Sequence, residues 1–300
     1  MTTATPPERM VRRKAPLRAS RVGLHVFLTL MALLWLLPVV WTIYASLRTY
    51  DDTSQHGYVS IAKSLTFDNY KNAFNQASLP QYFWNTMIVT IPALILILFF
   101  SACVAFVVSR LRFRFTIPLL IVFMAANLLP QQVILTPLYQ MFKAVPLPTF
   151  LSPQTGQLYD SYLGIILIHV AFQLGFCVFV LANYMKTIPA SLGEAARVDG
   201  ASVANQFWRI ILPLCRPALA AIATLEFTWI YNDFLWARFL MRTGDKLPIT
   251  SALSGLQGQF FSDYNLLAAG SLITAIPTIV LFVLLRRQFI SGLTLGATKG

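Results

Sequence analysis

Charged residues are scarce in this sequence. Only 11% of its 300 residues are Asp, Glu, Lys or Arg, whereas a soluble domain carries about 25%. Acidic residues are rarer than basic ones, with 11 Asp and Glu against 23 Lys and Arg, and the net charge is +12. The basic residues form short clusters between apolar runs, which does not favour nucleic-acid binding. Because 57% of the residues are hydrophobic, we expect most of the chain to lie in lipid.

Cysteines and the common catalytic motifs are also scarce or missing. Cys103, Cys177 and Cys215 are spaced neither as a disulfide framework nor as a metal site, so we interpret them as small packing residues. No G-x-x-x-x-G-K-[ST], H-E-x-x-H or G-x-S-x-G motif occurs. The sequence therefore predicts no ATP-binding loop, no metal ligands and no catalytic residues in this chain.

Long apolar runs predict an all-α polytopic membrane protein. About 20 helical residues cross a bilayer core, and lipid offers no partner to an exposed sheet edge. A cleaved signal peptide is the alternative for the first run, but that run is longer than a typical signal core. The six predicted spans are 22–47, 84–109, 116–142, 162–185, 217–239 and 264–287.

The distribution of Lys and Arg predicts the orientation. Sixteen of the 23 basic residues fall in the arm 1–21, the turn after the second span, the loop 186–216 and the C-terminal end. Cytoplasmic loops carry this excess, so we expect both termini in the cytoplasm. The predicted organisation is a basic arm (1–21), a six-helix membrane domain (22–289) and a cytoplasmic tail (290–300).

The loop 186–216 contains strong local signals. Ser191 followed by Glu194 forms a capping box, which predicts a helix over 192–199. Gly200 suits the left-handed residue that ends a helix. A second helix is predicted over 202–211, stopped by Pro213. The expected result is an exposed elbow of two short helices.

The spacing in this loop resembles the EAA loop of ABC importer permeases. The resemblance implies that the loop is a coupling helix that docks on a separate ATPase subunit and transmits its movement to the spans. An amphipathic helix lying on lipid headgroups is the alternative. The residues that carry the resemblance or the implied contact are Glu194, Ala195, Ala196, Asp199, Gly200, Ile210, Leu212 and Pro213.

Other segments resemble the carbohydrate (maltose-type) branch of that family. They are the basic arm and first span, the Asn69-Tyr70 segment before the second span, the ending 292–300, and the aromatic and polar residues Trp229, Asn232, Asp233, Phe234 and Trp236. The resemblance implies import of a sugar, a partner ATPase dimer that binds ATP and Mg, a second and distinct permease, and an extracytoplasmic solute-binding protein. It also implies the inner membrane of a prokaryote. An amino acid, polyamine or phosphonate is the alternative cargo.

Polar residues inside the predicted spans are candidates for a substrate pathway, because ionisable groups in lipid usually face a cavity or the bundle interior. Amides and aromatic rings together suit a sugar. Interhelical packing bonds use the same residue types and are the alternative, favoured for His169 and Gln173. A membrane-embedded enzyme using Glu226 and Asp233, about 10 Å apart on one helix face, is a remote alternative. The candidate residues are Asn127, Gln131, Gln173, Glu226, Trp229, Asn232 and Asp233.

Overall fold

The computed structural model describes residues 18–75, 78–111, 115–128, 130–256 and 263–294. Most of the predicted basic arm, Arg112 and Arg114, and the last six residues of the predicted tail lie outside the described residues. Within those ranges the chain is mainly helical, with isolated β-bridges at Arg48–Leu65 and Pro146–Gln157. The all-α prediction is therefore confirmed for the described residues.

Helices of very different lengths follow one another along the chain. Short 3-10 turns lie between the later ones, and one segment, Phe207–Ile211, is a π-helix. The α-helices are α1 (Arg18–Ser46), α2 (Tyr50–His56), α3 (Asp68–Asn75), α4 (Leu79–Arg110), α5 (Thr116–Leu128), α6 (Gln131–Ala144), α7 (Tyr162–Thr187), α8 (Ala190–Val198), α9 (Val203–Gln206), α10 (Leu212–Leu214), α11 (Arg216–Tyr231), α12 (Leu235–Leu240), α13 (Ile249–Leu253) and α14 (Tyr264–Thr294).

Four helices of the described chain are long and apolar enough to cross a membrane by themselves: α1, α4, α7 and α14. They coincide with four of the six predicted runs. A fifth candidate is the pair Val203–Leu214 and Arg216–Tyr231, which meets the same criteria only when the two bent parts are taken together.

The remaining two predicted runs are interrupted, so the expectation of continuous helices there is wrong. The run 116–142 is divided into α5 and α6 at Pro130, whose backbone is extended. Proline has no N–H to donate to the hydrogen-bond ladder of a helix. The run 217–239 is divided after Tyr231, because Asn232, Asp233 and Phe234 separate α11 from α12.

The core lies where α4 and α7 pack along their lengths, with α5 and α11 against them. Fully buried side chains such as Ile97, Leu181 and Met185 fill it. Gly175 on α7 lets α5 approach closely, since a Cβ there would lie 2.5 Å from the Phe123 carbonyl oxygen. The helix α14 packs on α11, and α1 contacts α14 while its apolar stretch stays exposed.

A buried polar cluster ties the end of α1 to α2. Arg48 is 0% exposed, and its Nε and Nη2 donate to Asp52 Oδ2 at 2.9 and 2.8 Å. Its Nη1 donates to the carbonyl oxygens of Gly57, Tyr58 and Ser60. This hydrogen bonding holds the pKa of Asp52 below its ordinary value. We call the cluster around Arg48 the Arg48 hub.

Two buried asparagines extend the Arg48 hub to α3 and α14. Asn69 donates to the carbonyl oxygens of Ser46 and Arg48 at 2.9 and 2.7 Å. Asn265 donates to the Ala45 carbonyl oxygen at 2.8 Å and accepts from Thr53 Oγ1 at 2.9 Å. The exposed helix α1 is thus fixed at its end by side-chain hydrogen bonds rather than by apolar packing alone.

Candidate functional site

The loop after α7 forms the predicted elbow. Its first helix, α8, ends in a Schellman motif, in which Gly200 N donates to the Arg197 carbonyl oxygen at 3.0 Å and Ala201 N donates to that of Ala196 at 2.8 Å. Gly200 has a φ of +79°, so the prediction of a left-handed glycine is confirmed. A side chain at this position would be strained.

Two details of the loop differ from the sequence predictions. The capping box is wrong, because α8 begins at Ala190 directly after Pro189 and has no side-chain cap. Ser191 therefore lies inside the first turn, where a serine cannot take the N-cap role. Ser202 caps the second helix instead, accepting from Asn205 N at 3.3 Å.

Pro213 does not stop the second helix, which continues to Leu214. The π-helix before it explains this result. Leu212 N donates to the Phe207 carbonyl oxygen, five residues back, so the hydrogen-bond ladder changes register just before Pro213.

The residues singled out in this loop divide into two groups. The carboxylate and small residues of the elbow tip are exposed, except Ala196, which is buried against its own chain. Ile210 and Leu212 are half-buried and pack on the core, and Pro213 is also half-buried. The exposed tip residues are Glu194, Ala195, Asp199 and Gly200.

The elbow is anchored to the membrane domain at two points. Arg110, at the end of α4, donates to the carbonyl oxygens of Met185 and Ile188. A groove of 650 Å³ lies between this end of α4 and the loop, and Glu194 and Arg197 line it. At the other end the loop meets α11 in a 72° bend, where the Cys215 side chain is buried.

A second candidate site is a polar cavity of 340 Å³ between α5, α6, α7, α11 and α12. The structure brings together five of the predicted pathway residues there, and adds His169 and Trp236. The sequence favoured a packing role for His169 and Gln173, but both line the cavity. The seven lining residues are Asn127, Gln131, His169, Gln173, Trp229, Asp233 and Trp236.

Asp233 is held in this cavity by the start of α12. Its Oδ1 accepts from Trp236 N at 3.3 Å and its Oδ2 from Ala237 N at 3.1 Å. His169 Nε2 is 3.7 Å from Asp233 Oδ2. This nitrogen is buried and has no hydrogen-bond partner among the described residues. The break between α11 and α12 therefore places a carboxylate and an imidazole at the cavity wall.

Glu226 and Asn232 lie outside the cavity lining. Glu226 is fully buried and accepts from Cys177 Sγ at 3.1 Å, and Asn232 donates to the Thr228 carbonyl oxygen at 2.8 Å. The helix α11 ends at Tyr231, two residues before Asp233. Asp233 lines the cavity and Glu226 does not, so this cavity does not contain both carboxylates of the enzyme alternative.

Known proteins resemble this chain over most of its length. The arabinooligosaccharides transport system permease protein of Bacillus subtilis (strain 168) is 28% identical over 294 residues, covering 97% of this chain and 100% of that protein. The diacetylchitobiose uptake system permease protein of Streptomyces coelicolor (strain ATCC BAA-471 / A3(2) / M145) is 28% identical over 277 residues, 92% of this chain and 88% of that protein.

A solved structure shares the fold. A chain of a bacterial ABC transporter involved in the import of the acidic polysaccharide alginate matches with a TM-score of 0.76 and 21% identity, covering 92% of this chain and 99% of that one. The family model described as "Binding-protein-dependent transport system inner membrane component" matches residues 81–289. The chain therefore belongs to this family of inner-membrane components, the non-catalytic permease subunits of ABC transporters.

Proposed function

We propose that this chain imports a sugar, as one permease subunit of an ABC importer. The observation that carries the coupling role is the exposed elbow of α8, Gly200 and α9, anchored to α4 and joined to α11. The sugar cargo is supported by the names of the relatives, which transport arabinooligosaccharides and diacetylchitobiose, and by a cavity lined with amides and indoles.

The proposed assembly contains a second, distinct permease and two ATPase subunits, which bind ATP and Mg. A solute-binding protein delivers the sugar from the extracytoplasmic side. The six crossings are α1, α4, the broken pair α5–α6, α7, the broken pair α11–α12, and α14. Both termini lie in the cytoplasm, because the cytoplasmic loops in this arrangement carry most of the Lys and Arg residues.

In this proposal the tip residues Glu194, Ala195, Asp199 and Gly200 contact the ATPase. Ile210, Leu212 and Pro213 seat the second half of the elbow on the core, and Ala196 seats the first half. The cavity residues, with Trp229 as the most exposed ring at 45%, contact the sugar as it passes. Glu226 and Asn232, the pathway candidates outside the cavity lining, have a packing role.

The coupling role is tested with Gly200→Leu and Glu194→Lys. Both variants should lose co-purification of the ATPase with the tagged permease, and ATP-dependent uptake of labelled arabinotriose, diacetylchitobiose and maltotriose should fall at least tenfold. Gly244→Leu is the matched control, since its added Cβ would meet nothing within 4 Å and its φ is not positive. Full uptake by both elbow variants would refute the coupling role.

A further inference from the structure

The polar cavity is unusual in the signs of its charges. Three carboxamides, two indoles, an imidazole and one carboxylate line it, and no Lys or Arg belongs to the lining among the described residues. The sequence 115–142, which includes α5 and most of α6, has no Lys or Arg, and neither has 161–185, which includes most of α7. Arg238 of α12 is two residues beyond Trp236, about 200° around the helix. A negatively charged ligand would find no permanent cation here.

The carboxylate of Asp233 is fixed rather than mobile. Two backbone amides of α12 hold its two oxygens, and each oxygen keeps a further acceptor position. The nearest group that can become cationic is His169, and it lies within 3.7 Å of Asp233. A protonated His169 would therefore be matched by Asp233 inside the protein, and the pair would leave no net positive charge for a ligand.

The apolar part of the cavity wall suits the CH face of a sugar ring. Trp229 is braced by Phe176, with ring centroids 5.5 Å apart, and still exposes 45% of its surface. Trp236 is buried against Phe172 at 5.0 Å, so it supports the wall. Indole faces and carboxamides together recognise a ring that carries hydroxyl groups.

We infer that the cavity binds one or two rings of an uncharged sugar and discriminates against sugars that carry carboxylates. The inference rests on the proposed function and adds the charge class of the cargo. A uronic acid would bring a second carboxylate close to that of Asp233, whose side chain is only 10% exposed, and like charges at short range repel. Asn127, Gln131 and Gln173 supply amide donors and acceptors for hydroxyl groups at no such cost.

The test uses the whole transporter in lipid nanodiscs without its binding protein. Saturation-transfer NMR, which detects weak binding, is recorded with three neutral trisaccharides (maltotriose, arabinotriose and cellotriose) and two acidic ones (trigalacturonate and alginate trisaccharide). At least one neutral trisaccharide should bind at least tenfold more tightly than either acidic one. Trp229→Ala should weaken that binding at least fivefold.

A charge variant with a matched control sharpens the test. Gln131→Lys, which puts a cation in the cavity, should shift the neutral-to-acidic preference at least fivefold towards the acidic trisaccharides. Gln132→Lys adds the same charge one residue away, outside the lining, and should change the preference less than twofold. Equal shifts from both variants, tight binding of an acidic trisaccharide, or no binding of any neutral one would overturn the inference.

Uptake by cells distinguishes a failure of the inference about the charge of the cargo from a failure of the proposed function. ATP-dependent uptake of an acidic saccharide by the wild-type transporter would overturn the inference and leave sugar import standing. Absence of ATP-dependent uptake for every saccharide in both panels would overturn the proposed function itself.

Discussion

The Arg48 hub and the polar cavity are two polar regions of the same chain that differ in how many of their polar groups are hydrogen-bonded. All three guanidinium nitrogens of Arg48 donate to protein acceptors, and the asparagines around it are also bonded. In the cavity His169 Nε2 has no partner within the described chain, and Trp229 is half-exposed. Asp52 Oδ1 also has no hydrogen-bond partner among the described residues, although it lies 3.4 Å from His56 Nδ1. A densely hydrogen-bonded cluster stabilises the fold, whereas sparsely bonded groups at a cavity wall stay available for a ligand.

Breaking the Arg48 hub should have the largest effect on stability. Arg48→Met leaves the buried Asp52 without its guanidinium partner and removes one donor from each of three carbonyl oxygens, so the Tm should fall by about 10 °C. Thermal unfolding of the purified transporter in detergent measures it. Lys71→Met removes a cation whose side chain is 74% exposed and should change the Tm by less than about 2 °C. Equal decreases in Tm for both variants would contradict the expectation that the buried Arg48 stabilises the fold more than the exposed Lys71.

Acid should weaken the Arg48 hub by a smaller and predictable amount. The pKa of Asp52 is lowered by Arg48, below the ordinary value of about 3.9. The stability that the carboxylate contributes is therefore present above that value and lost as the pH falls through the lowered pKa. The Tm difference between wild type and Asp52→Asn should shrink between pH 7 and pH 3.

A matched carboxylate separates this effect from general acid denaturation. Asp68→Asn removes an exposed carboxylate on α3, and its Tm should stay close to that of wild type throughout the pH series. If the Tm difference between wild type and Asp52→Asn grew as the pH fell, the predicted direction of the pH dependence would be wrong.

Substitutions in the cavity should have the smallest effect on stability, and their main effect should be on uptake. Gln173→Ala removes a half-buried amide and should alter the Tm by less than about 2 °C. The loss of one hydrogen bond to a sugar should reduce uptake about tenfold. Gln132→Ala, outside the lining, is the control and should keep wild-type uptake. A large loss of stability for Gln173→Ala would assign this amide a structural role.

The predictions from sequence succeeded where local chemistry decides the conformation. The long apolar runs became α1, α4, α7 and α14, and Gly200 has the left-handed backbone expected of it. The interruption at Asn232 and Asp233 was readable in principle, because both residue types favour helix ends and caps. The apolar run around them masked that signal.

Other features depend on contacts between distant parts of the chain. Asn265 meets Ala45 across 220 positions, and no local pattern distinguishes it from an exposed asparagine. The cavity likewise joins residues of α5, α6, α7 and α11, and Gly175 sets how closely α5 approaches α7. His169 lies 3.7 Å from Asp233 of another segment, so its place in the lining could not be predicted from the spacing on α7 alone.

The 72° bend at Cys215 places α11 between the elbow and the cavity, so a movement of the elbow would be transmitted along this helix. The helix α11 has 16 residues and is therefore about 24 Å long. If it pivots rigidly at its first residue, a rotation of about 5° moves its far end, beside Asp233, by about 2 Å. That displacement exceeds the difference between a made and a broken hydrogen bond. A small tilt at the elbow would thus reach the cavity as a change in which polar groups a passing ligand meets.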